Sequence, residues 1–384
     1  MKKKIVLLEP YFTGSHRAWA EGYAAHSSHS IHILSMEGRY WKWRMHGGAV
    51  NLARRFSLLD RKPDLILATD MLDLTTFLAL TRSVNADIPC VLYFHENQIT
   101  YPWSPEDRDI KKARDHHYGF INYTAALAAD GVFFNSHYHR NSFFEELPRF
   151  LKQFPDHRNP KSVETIRHKT DVLPVGVDFT RLEDGRPATK HRPGPAVILW
   201  NHRWEYDKNP EEFFHALAVL SDRGTDFRVI ILGENFQRKP GIFEKAKQRL
   251  GSRVVHFGYC PDFASYARML YEADILPVTS HQDFFGISIL EAVYCGCTPL
   301  LPRRLTYPEL FPEEKFPGLF YNDTNDLVAK LTAMINGKKS FPQEDLRKTV
   351  QRFDWKQMAP LYDTTLEHVA EKNTGISNGR ESCK

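Results

Sequence analysis

Long apolar runs, abundant cysteine and charge of one sign are all missing from this chain of 384 residues. No apolar stretch approaches the roughly 20 residues that a helix needs to cross a bilayer, so no membrane partner is expected. The five cysteines, at 90, 260, 295, 297 and 383, are too few and too scattered for a disulfide framework. Cys295-Gly296-Cys297 is the one close pair, and no second pair completes a zinc site. The 51 Lys and Arg nearly balance 47 Asp and Glu, and a formal charge of +4 is weak support for a nucleic-acid partner. The start, Met1–Lys4, is basic, but the apolar run Ile5–Leu8 is too short for a signal peptide. It reads as a first strand of a protein of the reducing cytoplasm. No Walker or dinucleotide fingerprint supports an ATPase or a dehydrogenase. What is present is a chain long enough for two to three domains and a sizeable core. Aromatic residues make up 13% of it, and twelve of its 18 His fall before residue 180.

Short Val/Ile/Leu/Phe-rich runs alternate with longer helix-period stretches. The first group of runs is Lys4–Glu9, Ile31–Leu34, Asp64–Thr69, Pro89–Phe94, Gly131–Asn135 and Asp171–Val175. A polar, Pro-rich joint from Asp184 to Pro195 separates them from Ala196–Trp200, Phe227–Leu232, Arg253–Phe257, Asp274–Val278 and Thr298–Leu301. Runs with little alternation are strands covered on both faces, and strand-then-helix repetition on each side of the joint predicts two doubly wound parallel α/β sheets. The expected domains are 1–185 and 195–352, with residues 353–384 forming a helix from Trp355 to Val369 that crosses back, then a loose tail from 373. Sheets of this kind bind ligands beyond the carboxyl ends of their strands, so the loops after strands are the place to look for chemistry.

Two such loops stand out. After the strand ending near Val278 come Asp283, Phe284, Gly286, Ile287 and Glu291. A glycine opening a helix lets a ligand approach the backbone, and the first-turn N–H groups favour an anion. Asp283 and Glu291 suit sugar hydroxyls. An N-capped core helix with a paired acid fits the same spacing. After Ala196–Trp200 come Arg203 and Lys208, which can converge on a diphosphate as fork and point charge, or form a solvated basic loop.

Together these residues resemble the retaining GT-B glycosyltransferases, whose mark is an acid, seven residues, then Glu, with a Gly-rich helix start between. Here the pair is Asp283…Glu291, with Asp where most members carry Glu. The resemblance implies two Rossmann-like domains facing a central cleft. It implies a nucleotide-sugar donor held by Arg203, Lys208, Asp283, Phe284, Gly286, Ile287 and Glu291, with no metal requirement. Gly14-Ser15-His16 matches the family's loop after the first strand, which adds Gly14 and Ser15 to the donor side. Val175–Asp178 matches its interdomain turn. A narrower resemblance, to the tRNA-queuosine mannosyltransferases, lies in Tyr11–His16, Trp41–Arg44, His95–Gln98, Tyr118–Asn122, Phe134–Ser136 and Glu291–Cys297. It implies transfer of mannose from GDP-mannose to queuosine at the wobble position of tRNA. By the same resemblance His95, Asp283, Arg203 and Lys208 would be catalytic. The competing readings are a lipid or polysaccharide acceptor, and an RNA-binding protein on an inactive scaffold.

Several segments fit an RNA acceptor physically. Arg39–His46 interleaves cations and rings, the composition that holds single-stranded loops by stacking and phosphate contact. Trp41, Trp43 and Arg44 are therefore acceptor candidates, along with His16, Glu96, Asn97 and Gln98; a surface loop whose tryptophans pack on the domain, and a capped turn with a satisfied His at 95–98, fit the same residues. Arg108, Lys111, Lys112, Arg114, His116 and His117 read as a solvated or phosphate-binding helix face, and Asp107-Arg108-Asp109 as an acidic first turn. His116-His117 and His137-Tyr138-His139 lack a third ligand at suitable spacing, so no metal site is expected. Oligomeric state is not legible.

Overall fold

The computed structural model describes residues 2–103, 117–188, 194–233, 241–337 and 341–380, with side chains as far as 372. Six parallel strands form a first sheet: β1 (Lys4–Phe12), β2 (Ser30–Glu37), β3 (Leu65–Thr69), β4 (Cys90–Phe94), β5 (Gly131–Phe134) and β6 (Thr170–Val172), in the order β2-β1-β3-β4-β5-β6. Every residue of β3, β4 and β5 is buried, which is why these strands read as unbroken apolar runs. The edge strand β2 is mostly half-exposed. A second parallel sheet holds β7 (Ala196–Asn201), β8 (Phe227–Leu232), β9 (Val254–Gly258), β10 (Ile275–Pro277), β11 (Thr298–Pro302) and β12 (Phe320–Tyr321), in the order β12-β11-β10-β7-β8-β9. In each sheet the order reverses once, between β1 and β3 in the first and between β7 and β10 in the second. A crevice for a ligand opens at the carboxyl ends of such a pair. The two-residue β12 has no counterpart among the expected strands.

The chain divides into two compact units, Met1–Val177 with Trp355–Lys384, and Asp178–Asp354. The expected first domain ran to 185, but residues 178–183 pack within the second unit. Phe179 stacks on Tyr294 at 4.5 Å, and the Tyr294 hydroxyl donates to Glu183, which also pairs with Arg347. A contact of this kind is invisible to local pattern.

The helix Trp355–Arg380 belongs to the first unit and runs past the expected end at 369, through part of the expected tail. Trp355 is fully buried, and a Cβ on either Gly22 or Gly176 would collide with its indole. Glycine at 176 thus serves ring packing as well as the turn expected there. Two helical turns on, the Tyr362 hydroxyl accepts from the Trp19 indole N–H at 3.0 Å, and Asp363 accepts from Tyr23, Ser27 and Ser28. Buried rings with satisfied polar tips make this a core contact. Trp355→Ala is expected to cost about 3–5 kcal/mol, and Gly22→Ala to destabilise as well by overpacking; both are read as a fall in the urea midpoint.

Candidate active site

At the carboxyl edge of the first sheet the chain gathers buried charge. Glu9, near the end of β1, is fully buried; its Oε1 accepts the Tyr11 N–H at 2.8 Å and its Oε2 lies 3.0 Å from His16 Nδ1. His16 stands in the first turn of the helix Gly14–His26, which opens on Gly14 at φ +49°. A Cβ on Gly14 would meet nothing within 4 Å, and Ser15 beside it is exposed. Burial opposes a charge on His16, but the Glu9 carboxylate, helped by Asp70 and Glu96, raises its pKa to about 9.

The His95 ring lies 4.2 Å from that of His16, edge-on to Trp19 and Tyr93. Burial, then the charge on His16, holds His95 well below the usual histidine range, so it is neutral. Its backbone is fixed from both sides: the N–H donates to Asp70 Oδ1 at 2.7 Å, and the carbonyl accepts from Asn135 at 2.8 Å. Its Nε2 is buried without a partner, as is Oδ2 of Asp70. Chiefly through burial, the Asp70 carboxyl stands well above the usual range. Gln98 takes its place through the Asn122 side chain and donates to Glu96 at 2.9 Å.

Asn97 does not join the group. It is buried, and its side chain closes the turn onto Ile99 and Thr100. It is therefore a turn former rather than an acceptor contact. Trp41 is also drawn inward, with Tyr118, Met45 and Met71, whereas Trp43 is exposed. The Arg44 side chain donates to the Glu37 carbonyl. Residues 107–109, 111, 112, 114 and 116 lie outside the described residues. His139 is a core residue against Phe134, with Nδ1 on Asn135. Glu9, His16 and His95 place ligand atoms within 4.8 Å of one another. A metal ion there would have to replace the proton shared by His16 and Glu9.

The second sheet builds its site at the reversal between β7 and β10. Lys208 is buried, and its Nζ donates to the Gln282 carbonyl at 2.7 Å, 3.3 Å from Asp207 and 3.9 Å from Asp283. Asn209, left-handed at φ +50°, caps the next helix, Pro210–Asp222. The two loops are sewn together by the Asp207 carbonyl, which accepts from His281, and by the Thr279 hydroxyl, which reaches the Lys208 carbonyl. Arg203 differs from Lys208: its side chain is 47% exposed, 3.2 Å from Glu205. Asp283 accepts from the buried Tyr307 hydroxyl at 3.2 Å. Phe284 is buried, and Gly286 at φ +90° precedes the helix Ile287–Tyr294. Glu291 accepts from Tyr266 at 2.6 Å, and Asn201 donates to Tyr266 and to the Ser288 carbonyl. Burial pushes the Glu291 carboxyl up to about 7, against the pull of Tyr266 and Arg181.

The structure thus brings Lys208, Asp283 and Gly286 to one helix mouth and leaves Arg203 reaching outward. Sequence reasoning missed Glu9, Asp70, Tyr266 and Tyr307. The first two carry a signal, a carboxylate at the end of an apolar strand run. The tyrosines come from elements distant in sequence and carry none.

Residues 4–177 match the family model of the tRNA-queuosine alpha-mannosyltransferase N-terminal region, and residues 183–352 that of glycosyl transferases group 1. A tRNA-queuosine alpha-mannosyltransferase of Drosophila melanogaster is 33% identical across 97% of this chain and 99% of its own length. Among solved structures, a glycosyltransferase from Rickettsia africae ESF-5 gives a TM-score of 0.69 at 15% identity, covering 96% of this chain and 98% of that one. Anabaena HepE, in complex with UDP and glucose, gives 0.64 at 15% identity, covering 96% and 100%. These distant likenesses show the fold, two α/β units of the GT-B glycosyltransferase type.

An imidazole with its folded pKa above the ordinary 6.5 stabilises the protein in full below about pH 6.5, and loses that contribution as pH rises through about 9. Wild-type protein is expected to lose stability across that window more steeply than Glu9→Gln. Urea unfolding at both ends of the window tests it, and equal slopes would remove the charged pair.

Proposed function

The chain belongs to the tRNA-queuosine alpha-mannosyltransferase family, and we propose that it moves mannose from GDP-mannose to the queuosine of tRNA. The acceptor is the wobble nucleoside of a tRNA of the aspartate type, and the transfer, which retains anomeric configuration, takes place in the cytoplasm. The observation that carries this reading is the relationship along the whole chain, through the N-terminal region as well as the donor-binding half. Among the described residues, no helix is long and apolar enough to cross a membrane.

In this reading the bond between the mannose anomeric carbon and the diphosphate breaks, with positive charge growing on the sugar and negative charge on the leaving phosphate. The first turn after Gly286 supplies backbone N–H groups to that phosphate, and Lys208 a fixed ammonium. Arg203 supplies a guanidinium fork from the exposed side of the loop. Glu291 receives the ribose hydroxyls, and their hydrogen bonds favour its ionised form. On the second unit Asp283 orients sugar hydroxyls, and on the first the neutral His95 offers a buried Nε2 to a hydroxyl. The departing phosphate oxygen takes the acceptor proton, so no protein base is assigned. Charge neutralisation falls to side chains and helix dipole, without a metal.

The test is incubation with GDP-mannose and tRNA with or without queuosine, followed by nucleoside mass analysis. A gain of one hexose only on queuosine is expected; a gain on neither tRNA, with donor hydrolysis intact, would overturn the acceptor. Arg203→Ala and Asp283→Asn are each expected to lower kcat/KM by about 100-fold or more, with little change in the unfolding midpoint for Arg203→Ala. Lys208→Ala is a poorer probe, because it strands two carboxylates beside a buried cavity and costs stability as well.

A further inference from the structure

The two tryptophans of Trp41-Lys42-Trp43 have different surroundings. The Trp41 ring is turned inward, 5.1 Å from that of Tyr118, and the Lys42 ammonium lies 5.1 Å from the Trp103 ring and 5.5 Å from that of Trp41. Trp43, two residues on, is 62% exposed. Its inner side rests on Gly47, one turn further along the helix Trp41–Phe56: a Cβ added there would stand 2.6 Å from the indole, and its three nearest neighbours would all be Trp43 ring atoms. Glycine is among the poorest helix formers, and this one lies inside a helix. Its neighbour Gly48 has a separate reason, the close approach of Pro10. Gly47 leaves room for the large ring to pass close to the helix backbone while most of its surface stays exposed.

This ring sits at a useful place within its unit. The helix follows β2, so its first turn stands at the carboxyl edge where Glu9, Asp70 and His95 are found. The Met45 carbonyl accepts from Asp73, in the loop after β3, and Tyr11, just after Glu9, packs on the cluster around Met45. Tyr40, also exposed, precedes the helix at φ +53°. Arg39, Lys42 and Arg44 flank these rings in sequence; Arg39 lies 3.4 Å from Glu37, and Arg44 donates to the Glu37 carbonyl. An open aromatic face among cations suits a base and its phosphate in single-stranded RNA.

We propose that Trp43 is a stacking platform for one base of the acceptor RNA loop, and that Gly47 is the positioning residue whose missing side chain sets where the ring lies. This rests on the reading of the acceptor as tRNA. Trp41 is a structural residue, packed on Tyr118.

The test is the Kd of the full chain for a queuosine-containing anticodon stem-loop at one fixed salt concentration. Trp43→Ala is expected to weaken binding about tenfold, and Trp43→Phe to restore most of it. Gly47→Ala, which favours the helix but lifts the ring, is expected to weaken binding several-fold without lowering the unfolding midpoint. In the Trp43→Ala background the same change should add nothing. Wild-type binding with Trp43→Ala inside twofold of it overturns the platform alone. Gly47→Ala that binds like wild type overturns its positioning role. Absence of wild-type binding overturns both the platform and the RNA reading.

Discussion

Covering a parallel sheet with helices on both faces leaves its strands open to ligands chiefly at their ends, and the carboxyl end is where the order reversal makes room. Both units place buried charge there. Glu9 and Asp70 end strands of the first sheet, and Lys208 with Asp207 and Asp283 lies at the reversal of the second. Each such group carries a desolvation cost of several kcal/mol, which is offset only when partners are held in fixed geometry. The loops are accordingly rigidified by side-chain-to-backbone hydrogen bonds, such as Asn135 on His95 and Thr279 on Lys208. The arrangement that keeps these charges tolerable also aims them.

The first unit shows how small a difference decides protonation. His16 is buried and His95 partly buried, and their rings are 4.2 Å apart, yet one is an imidazolium and the other neutral. A carboxylate touches one ring only. Once Glu9 has fixed the proton on His16, that charge disfavours a second one beside it. At neutral pH the edge therefore carries one imidazolium paired with Glu9 and one neutral ring with a buried Nε2.

Much of this was legible in the sequence, because central strands covered on both faces leave runs such as Leu65–Thr69 and Cys90–Phe94. Glycines at left-handed helix starts, Gly14 and Gly286, were also legible, since few other residues accept that backbone. What was not legible depended on distant partners. Asn97 was read as a binding group or as part of a capped turn, and it is the turn that takes its side chain. Trp41 and Trp43 were read alike, but Tyr118 and Trp103 take one inward and Gly47 seats the other outside. Lys208 was read as a diphosphate ligand or as part of a solvated basic loop, and its burial under Gln282 and Asp283, 74 residues away and more, was not legible. Residues 178–183 were assigned across the boundary because Tyr294 and Arg347 cannot be seen from their local pattern.

The seat of Trp355 has a consequence for the order of events on the ribosome. Gly22 and Gly176 form that seat within the first unit, but the tryptophan that fills it is made only after the whole of 178–354. Domains fold as units while the chain emerges. The second unit is thus fully synthesised while the first still presents an unfilled apolar slot, and the half of the chain that begins first is the half that is finished last.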